Sequence, residues 1–192
     1  FVKPGKWACN GAMAIRFPIG WAVKPTLYRQ FVGGETTGEC EPLISDLERY
    51  GVKVALDYSA ESEQTPEGIE ATFAETKRSI ENAARNKNVA YAVFKPSTLT
   101  TDEVLCKASE APDTMTEEEK KEYDEFVGRF DDLCELAHRH GVRILVDAED
   151  VCFQNALDYL TDEAMRRHNK ERAIVFATLP LDRHDRMPYP EA

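Results

Sequence analysis

The stretch Arg143-Ile144-Leu145-Val146-Asp147-Ala148-Glu149 decides the fold, because an apolar run typical of a buried strand leads directly into two carboxylates. Two other strand-like runs also end in charge. Residues 52–58 lead to Glu61, and residues 89–94 lead to Lys95. The carboxyl ends of the strands, with the loops after them, build the active site of a β/α barrel. We therefore expect Lys95, Asp147 and Glu61 to converge in one site.

Helices with an apolar face alternate with these runs. Thr65-Pro66-Glu67 has the order of N-cap, proline and acid that opens a helix, and Thr116-Glu117-Glu118-Glu119 is a capping box. A polar insertion around Pro112-Asp113-Thr114 precedes the capping box. The predicted elements are a helix at 37–50 ending before Gly51, a strand at 52–58, a helix from 65 with Ile69, Phe73, Ile80 and Ala84 on its apolar face, a strand at 89–94, a helix from the capping box to Gly141, a strand at 142–146, a helix near 152–168 and a strand at 173–179.

Apolar strands that alternate with longer helices predict an α/β fold with parallel strands buried on both faces and βαβ crossovers. The chain contains about four βα units, whereas an eight-stranded barrel takes about 250 residues. We therefore expect half of a (βα)8 TIM-like barrel over residues 35–192, preceded by an N-terminal segment at 1–34 that leads into it. The apolar inner face needs a cover, which a second chain or a missing C-terminal half would provide.

Composition excludes several classes of partner. The 192 residues carry a formal net charge of −11, which argues against nucleic acid and anionic membrane surfaces. No run approaches the roughly 20 apolar residues of a transmembrane segment. The chain begins at Phe1 rather than Met, so either a targeting peptide has been removed or a preceding stretch is not represented.

The cysteines and histidines show no metal-binding pattern. Cys9, Cys40, Cys106, Cys134 and Cys152 include no CxxC pair and no zinc spacing, so we expect buried thiols in a reducing compartment. His138 and His140 suit a helix carboxyl end, where cations are favoured. No metal site is predicted. Hydrolase and dinucleotide-binding functions are disfavoured, since the sequence has neither a nucleophile elbow nor a glycine-rich phosphate loop.

Each charged residue at the predicted strand ends also has a structural interpretation. Asp147 could be the N-cap of the following helix, and Lys95 could form a structural ion pair with Glu61 or Asp147. A single charge after a strand is more often a loop residue than a catalyst. Three such charges together favour a site.

Several segments, in their order and spacing, resemble the proline dehydrogenase family. They are Phe31-Val32-Gly33-Gly34-Glu35-Thr36, Leu56-Asp57-Tyr58-Ser59-Ala60-Glu61, Phe94-Lys95-Pro96-Ser97, Asp147-Ala148-Glu149, Arg167-His168-Asn169-Lys170 and Thr178-Leu179-Pro180-Leu181-Asp182-Arg183. Members of this family are FAD-dependent (βα)8 barrels that oxidise L-proline to pyrroline-5-carboxylate and pass the electrons to quinone. The resemblance covers the first half of that barrel.

The resemblance implies a role for each predicted site residue. Lys95 would pair with the substrate carboxylate, and Asp147 would belong to the polar network beneath flavin and substrate. Glu61 would form an ion pair with an arginine in the family's last helix, which this chain lacks. Where the family has a flavin-binding glutamine and a tyrosine, this chain has Pro180 and Asp182. Proline has no side-chain donor for such a contact, so the cofactor-binding residues are unknown.

Two hypotheses from different classes follow. In the first, the chain is part of a proline dehydrogenase that a second half completes. In the second, it is a catalytically inactive relative, kept as a structural subunit of a larger assembly such as a mitochondrial respiratory complex. The resemblance implies the mitochondrial matrix or inner membrane in a eukaryote and the cytoplasm in a bacterium.

Overall fold

Four parallel strands form one sheet in a computed structural model of the protein, which describes residues 32–58, 64–181 and 184. Their order across the sheet is their order along the chain, and each neighbouring pair is parallel. This confirms the predicted α/β class. The strands are β1 (Val54–Asp57), β2 (Val89–Phe94), β3 (Ile144–Val146) and β4 (Val175–Ala177).

Helices connect the strands as βαβ crossovers. In the part of the chain that the structure describes, none of them has the length and apolarity needed to cross a membrane. The helices are α1 (Thr37–Glu48), α2 (Pro66–Arg85), α3 (Asp102–Glu110), α4 (Glu117–His140) and α5 (Gln154–His168), with two short 3₁₀ turns at Pro96–Leu99 and Pro112–Thr114.

The chain divides into two compact units, residues 1–43 and 44–192, and the whole sheet lies in the second. In the first unit, Glu35 N donates to the Glu39 carboxylate at 2.9 Å, and Glu39 N donates to Thr36 Oγ1 at 3.2 Å. Residues 1–31 of the predicted N-terminal segment lie outside the described residues, so its boundary at 34 stays a prediction.

Helix ends follow the signals in the sequence. Thr65 Oγ1 accepts from Gly68 N at 3.1 Å at the start of α2. At the start of α4, Thr116 Oγ1 accepts from Glu119 N at 3.3 Å, while the Glu119 carboxylate accepts from Thr116 N at 2.8 Å. Both predicted N-termini are therefore confirmed, and His138 and His140 lie in the last turn of α4 as expected.

The hydrophobic core lies between the helices and one face of the sheet. Phe126, Phe130 and Leu133 of α4 are fully buried, and the rings of Phe130 and Phe94 meet edge to face at 5.5 Å. Burying a side chain of this size stabilises a fold by about 1.5–3 kcal/mol. The crossover helices thus hold the strands in register from one side only.

The opposite face of the sheet corrects the prediction that every strand is buried on both faces. Ala55 and Asp57 of β1 are exposed, and Leu145 and Phe176 are only half-buried. Among the described residues, the buried side chains of α2, α4 and α5 pack on the other face of the sheet, and no crossover helix covers this one. In a barrel this is the inner face, which further strands enclose.

Two details of the helices differ from the sequence prediction. Ala84 is exposed, and its neighbour Ala83 is the buried residue on the apolar face of α2. Helix α3 lies within the predicted polar insertion. Only Val104 and Leu105 of its nine residues are buried, so the segment has too short an apolar stripe to show helical periodicity.

The expectation of free thiols is wrong for one pair of cysteines. Cys106 of α3 and Cys152, just before α5, form a disulfide with a Cα–Cα distance of 5.1 Å. Their 46-residue separation gave no sequence signal, since a disulfide depends on distance in the folded chain. Cys134 is free and buried, and burial raises the pKa of its thiol to about 12.

Gly128 within α4 and Gly141, which follows its last residue, should respond in opposite ways to replacement by alanine. Gly141 has φ +65°, and a Cβ there would lie 2.1 Å from Arg172 Nη2, whereas Gly128 has open space around it. We expect Gly141→Ala to lower the free energy of unfolding by at least about 1–2 kcal/mol, the cost of a left-handed residue. Gly128→Ala should raise it by about 0.5–1 kcal/mol. Urea unfolding of both variants tests this, and equal effects would contradict the assigned geometry.

Candidate active site at the carboxyl end of the sheet

The sheet continues for one step beyond the ends of β3 and β4. Asp147 N donates to the Phe94 carbonyl at 3.1 Å, and Thr178 N donates to the Val146 carbonyl at 3.0 Å. Alternate residues of a strand share a face. Lys95, Asp147 and Thr178 therefore follow Val93, Leu145 and Phe176 on the inner face, at the edge where a β/α barrel has its site.

Thr178 fixes the carboxylate of Asp147. Its hydroxyl donates to Asp147 Oδ1 at 2.8 Å and accepts from Ala148 N at 2.6 Å. The N-cap position of α5 is occupied by Phe153, so Asp147 is not the helix cap that its sequence position allowed. Its carboxylate is instead held by the neighbouring strand end.

Glu149 forms a second polar cluster beside Asp147. Its carboxylate accepts from Ser97 N at 2.8 Å and from Ser97 Oγ, while Glu149 N donates to Gln154 Oε1 at 2.8 Å. Gln154 is buried and donates in turn to Asp158 Oδ1 at 2.8 Å. These bonds join the loop after β3 to the 3₁₀ turn that follows Lys95.

Burial raises the pKa of the Glu149 carboxyl group above its usual value. The hydrogen bonds from Ser97 and the positive charge of Lys95 lower this pKa, and the negative charge of Asp147 raises it. Desolvation outweighs the favourable partners, which is common for a carboxyl group in a site that excludes water.

Lys95 carries the basic side chain of this edge. It is half-buried, and its carbonyl accepts from Thr98 N at 3.1 Å and from Thr98 Oγ1 at 2.6 Å. The ion pairs among the described residues do not include Lys95, so the structural pair with Asp147 is not formed. Glu61 lies outside the described residues, and its place in the site stays a prediction.

The described residues do not provide a metal centre or a complete flavin site. No group of three His, Cys, Asp or Glu residues within them is placed to hold a metal ion. Thr178 already donates to Asp147, and Glu149 is already bonded to Ser97 and Gln154. The left-handed glycines of the described part, Gly51 and Gly141, precede strands and lie at the other end of the sheet. We therefore derive no chemical step through FAD from these residues.

A family model described as proline dehydrogenase matches residues 40–190. The chain belongs to the proline dehydrogenase family. The resemblance seen in the sequence segments is thereby confirmed.

Two relatives agree with this assignment. The carbapenem antibiotics biosynthesis protein CarD of Pectobacterium carotovorum subsp. carotovorum is 31% identical over 159 residues, which cover 83% of this chain and 42% of the relative. Mitochondrial proline dehydrogenase 1 of Dictyostelium discoideum is 28% identical over 200 residues, covering 85% of this chain and 35% of that protein. The chain thus spans less than half the length of these two relatives.

Solved structures share the fold. A variant of proline utilization A from Bradyrhizobium japonicum matches with a TM-score of 0.58 at 18% identity, covering 82% of this chain and 16% of that one. A bifunctional proline utilization A matches with a TM-score of 0.56 at 19% identity. These matches, with the family, confirm that the four-stranded parallel sheet and its crossover helices are of the TIM-barrel type.

Sequence reasoning named Lys95 and Asp147 but assigned no role to Ser97, Glu149 or Thr178. Glu149 follows Asp147 by two residues and Ser97 follows Lys95 by two, so both motifs contained the signal. Their pairing could not be found from the sequence, since it joins residues 52 positions apart. Thr178 lies in the segment 178–183, in which only Pro180 and Asp182 were compared with the family pattern.

Replacing Glu149 by glutamine should change how stability depends on pH. A raised pKa means that the folded state binds a proton more tightly than the unfolded chain, whose glutamate pKa is about 4.3. The contribution of Glu149 to the free energy of unfolding is therefore largest below this unfolded value. It falls as pH rises towards the folded pKa.

We expect the free energy of unfolding of the wild type to fall, relative to Glu149→Gln, between pH 4 and the raised folded pKa. Chemical denaturation at a series of pH values measures this difference. The exposed Glu70 on α2 offers a matched control, since Glu70→Gln should follow the wild-type profile. Parallel profiles for Glu149→Gln and the wild type would show that burial does not perturb Glu149.

Proposed function

We propose that the chain provides the first half of a catalytic barrel that oxidises L-proline to pyrroline-5-carboxylate. The proposal is supported mainly by Lys95, a half-buried lysine at the inner face that forms no ion pair among the described residues. An ammonium group held at such an edge is suited to bind a carboxylate as a point charge. L-Proline carries one.

The described residues are suited to binding and orientation. Asp147 keeps a fixed position through Thr178, and Glu149 holds the turn after Lys95 through Ser97. Because this contact fixes the 3₁₀ turn after Lys95, Lys95 loses less conformational freedom when it binds a carboxylate. More of the binding energy is then available to orient the substrate. In the proposal, Glu61 closes the site through an ion pair with an arginine from the second half.

Oxidation at the substrate ring requires an acceptor for a hydride, and FAD supplies that chemistry in this family. We propose FAD as the cofactor and quinone as the final acceptor, with the flavin contacts provided outside the described residues. Pro180 is consistent with this division, because it has neither a side-chain donor nor a backbone N–H to offer a flavin. The part that completes the barrel is either a further stretch of the same polypeptide or a second chain.

The names of the relatives suggest a location. The proteins of Dictyostelium discoideum and Bos taurus, 28% and 44% identical over their matched regions, are both called mitochondrial. We propose the mitochondrion for this protein if its source is a eukaryote.

Removal of the Lys95 ammonium group should weaken substrate binding. In the complete protein, we expect Lys95→Ala to raise the dissociation constant of L-proline by about tenfold to a hundredfold, since a charged hydrogen bond contributes about 1.5–3 kcal/mol. Isothermal titration calorimetry of the oxidised protein with L-proline measures this. Lys170→Ala removes an exposed lysine from the loop after α5 and should leave the constant unchanged. An unaltered affinity in Lys95→Ala would remove Lys95 from the site.

A second candidate function is that of an inactive structural subunit. It is favoured by Pro180, which stands where the family has its flavin-binding glutamine, and by the exposed residues on the inner face of β1. A subunit of this kind would depend on its partner for solubility.

Both functions require a second part that covers the inner face of the sheet. The behaviour of the isolated chain tests this requirement. Expressed alone, the 192 residues should form oligomers or precipitate, because the inner face remains exposed. Light scattering coupled to gel filtration measures the mass. A well-behaved monomer of 21.7 kDa would argue against any requirement for a covering partner.

A further inference from the structure

A recess of about 530 Å³ lies at the end of the sheet opposite the candidate active site. The segments that enter all four strands contribute to it, together with the carboxyl ends of α2 and α4. Its volume falls in the range of small-molecule pockets. Its lining includes Lys53, Lys87, Gly141, Arg143, Arg172 and Phe176.

Among the described residues, the lining of this basic recess contains four permanent cations and no carboxylate. Lys53, Lys87, Arg143 and Arg172 contribute the charges. The whole chain carries 35 acidic and 24 basic residues, so the positive charge of this lining is opposite in sign to the net charge of the chain. None of the four takes part in the ion pairs of the described residues, although most other basic side chains of α2, α4 and α5 do.

Two of the cations are held in place from within the fold. The Arg143 guanidinium lies over the Tyr91 ring at 5.8 Å, and that ring packs edge to face on Phe176 at 5.2 Å. The Arg172 guanidinium crosses the end of α4 at Gly141, where any Cβ would collide with it. Side chains that are already ordered lose less entropy when they bind a ligand.

Compensation of helix dipoles accounts for only part of this charge. Three helices, α2, α4 and α5, end on this side of the sheet. Each carboxyl end is equivalent to about −0.5 of an elementary charge, or roughly −1.5 for all three. The recess contains four full positive charges besides His140. The described lining therefore carries a surplus of positive charge.

We propose that the basic recess binds phosphate groups of a small multiply charged ligand. Arginine forks match phosphate oxygens in pairs, and lysines add point charges, so this set of donors suits a phosphate better than a single carboxylate. The ligand is either a soluble phosphorylated molecule or the phosphate headgroup of a lipid.

Binding is independent of proline oxidation, because the recess and Lys95 lie at opposite ends of β2. The complete protein is titrated by calorimetry with inorganic pyrophosphate at constant ionic strength, and in parallel by co-sedimentation with phosphatidylcholine vesicles containing 30 mol% phosphatidylglycerol. The first arm reports a soluble phosphate and the second a lipid headgroup. We expect saturable binding in at least one arm that weakens as salt is added.

Substitutions locate the site. Arg143→Gln and Lys87→Gln should each weaken the observed binding by about tenfold, as expected for loss of one charged contact. Arg85→Gln serves as the control, because Arg85 is exposed at the end of α2 outside the lining, and it should bind as the wild type does. Both lining residues are exposed, and circular dichroism checks that each variant folds. No binding in either arm, or equal binding by all variants, would overturn the proposal.

Discussion

The candidate active site depends on two backbone hydrogen bonds that continue the parallel ladder beyond the strands, from Asp147 N to the Phe94 carbonyl and from Thr178 N to the Val146 carbonyl. They place Lys95, Asp147 and Thr178 in one row on the inner face. Each bond by itself contributes only about 0.5–1.5 kcal/mol to stability. Their importance is geometric, since a strand displaced by one residue would turn these side chains away from the inner face. The Thr178 hydroxyl then fixes the Asp147 carboxylate within this row.

Much of the fold was predictable, because strong local signals agree with the tertiary arrangement. The capping box at Thr116 and the stop at Gly141 set the length of α4, and the run 89–94 is β2 to the residue. Helix α3 and the Cys106–Cys152 disulfide were not predictable, as both depend on packing between segments distant in the chain. The sequence predicted an apolar inner face, but it did not show that Ala55 and Asp57 of β1 are exposed there.

The site was predictable to a smaller extent. A charge after an apolar run identified Lys95 and Asp147, whose positions on adjacent strands follow from the order of the sheet. The sequence did not show that Thr178 and Ser97 bond the carboxylates of Asp147 and Glu149. Hydroxyl groups near strand ends are common, and a single one does not indicate a site. The basic recess also escaped the sequence, since its cations come from four separated segments of an acidic chain.

In the proposed function, this chain supplies a carboxylate-binding half of a proline-oxidising barrel. The most direct test of this proposal is anaerobic mixing of the complete, FAD-loaded protein with L-proline, followed by flavin absorbance. We expect L-proline to bleach the flavin and pyrrolidine, which has the ring but not the carboxylate, to do so far more slowly at equal concentration. A flavin that stays oxidised with L-proline, or equal bleaching by both compounds, would contradict it.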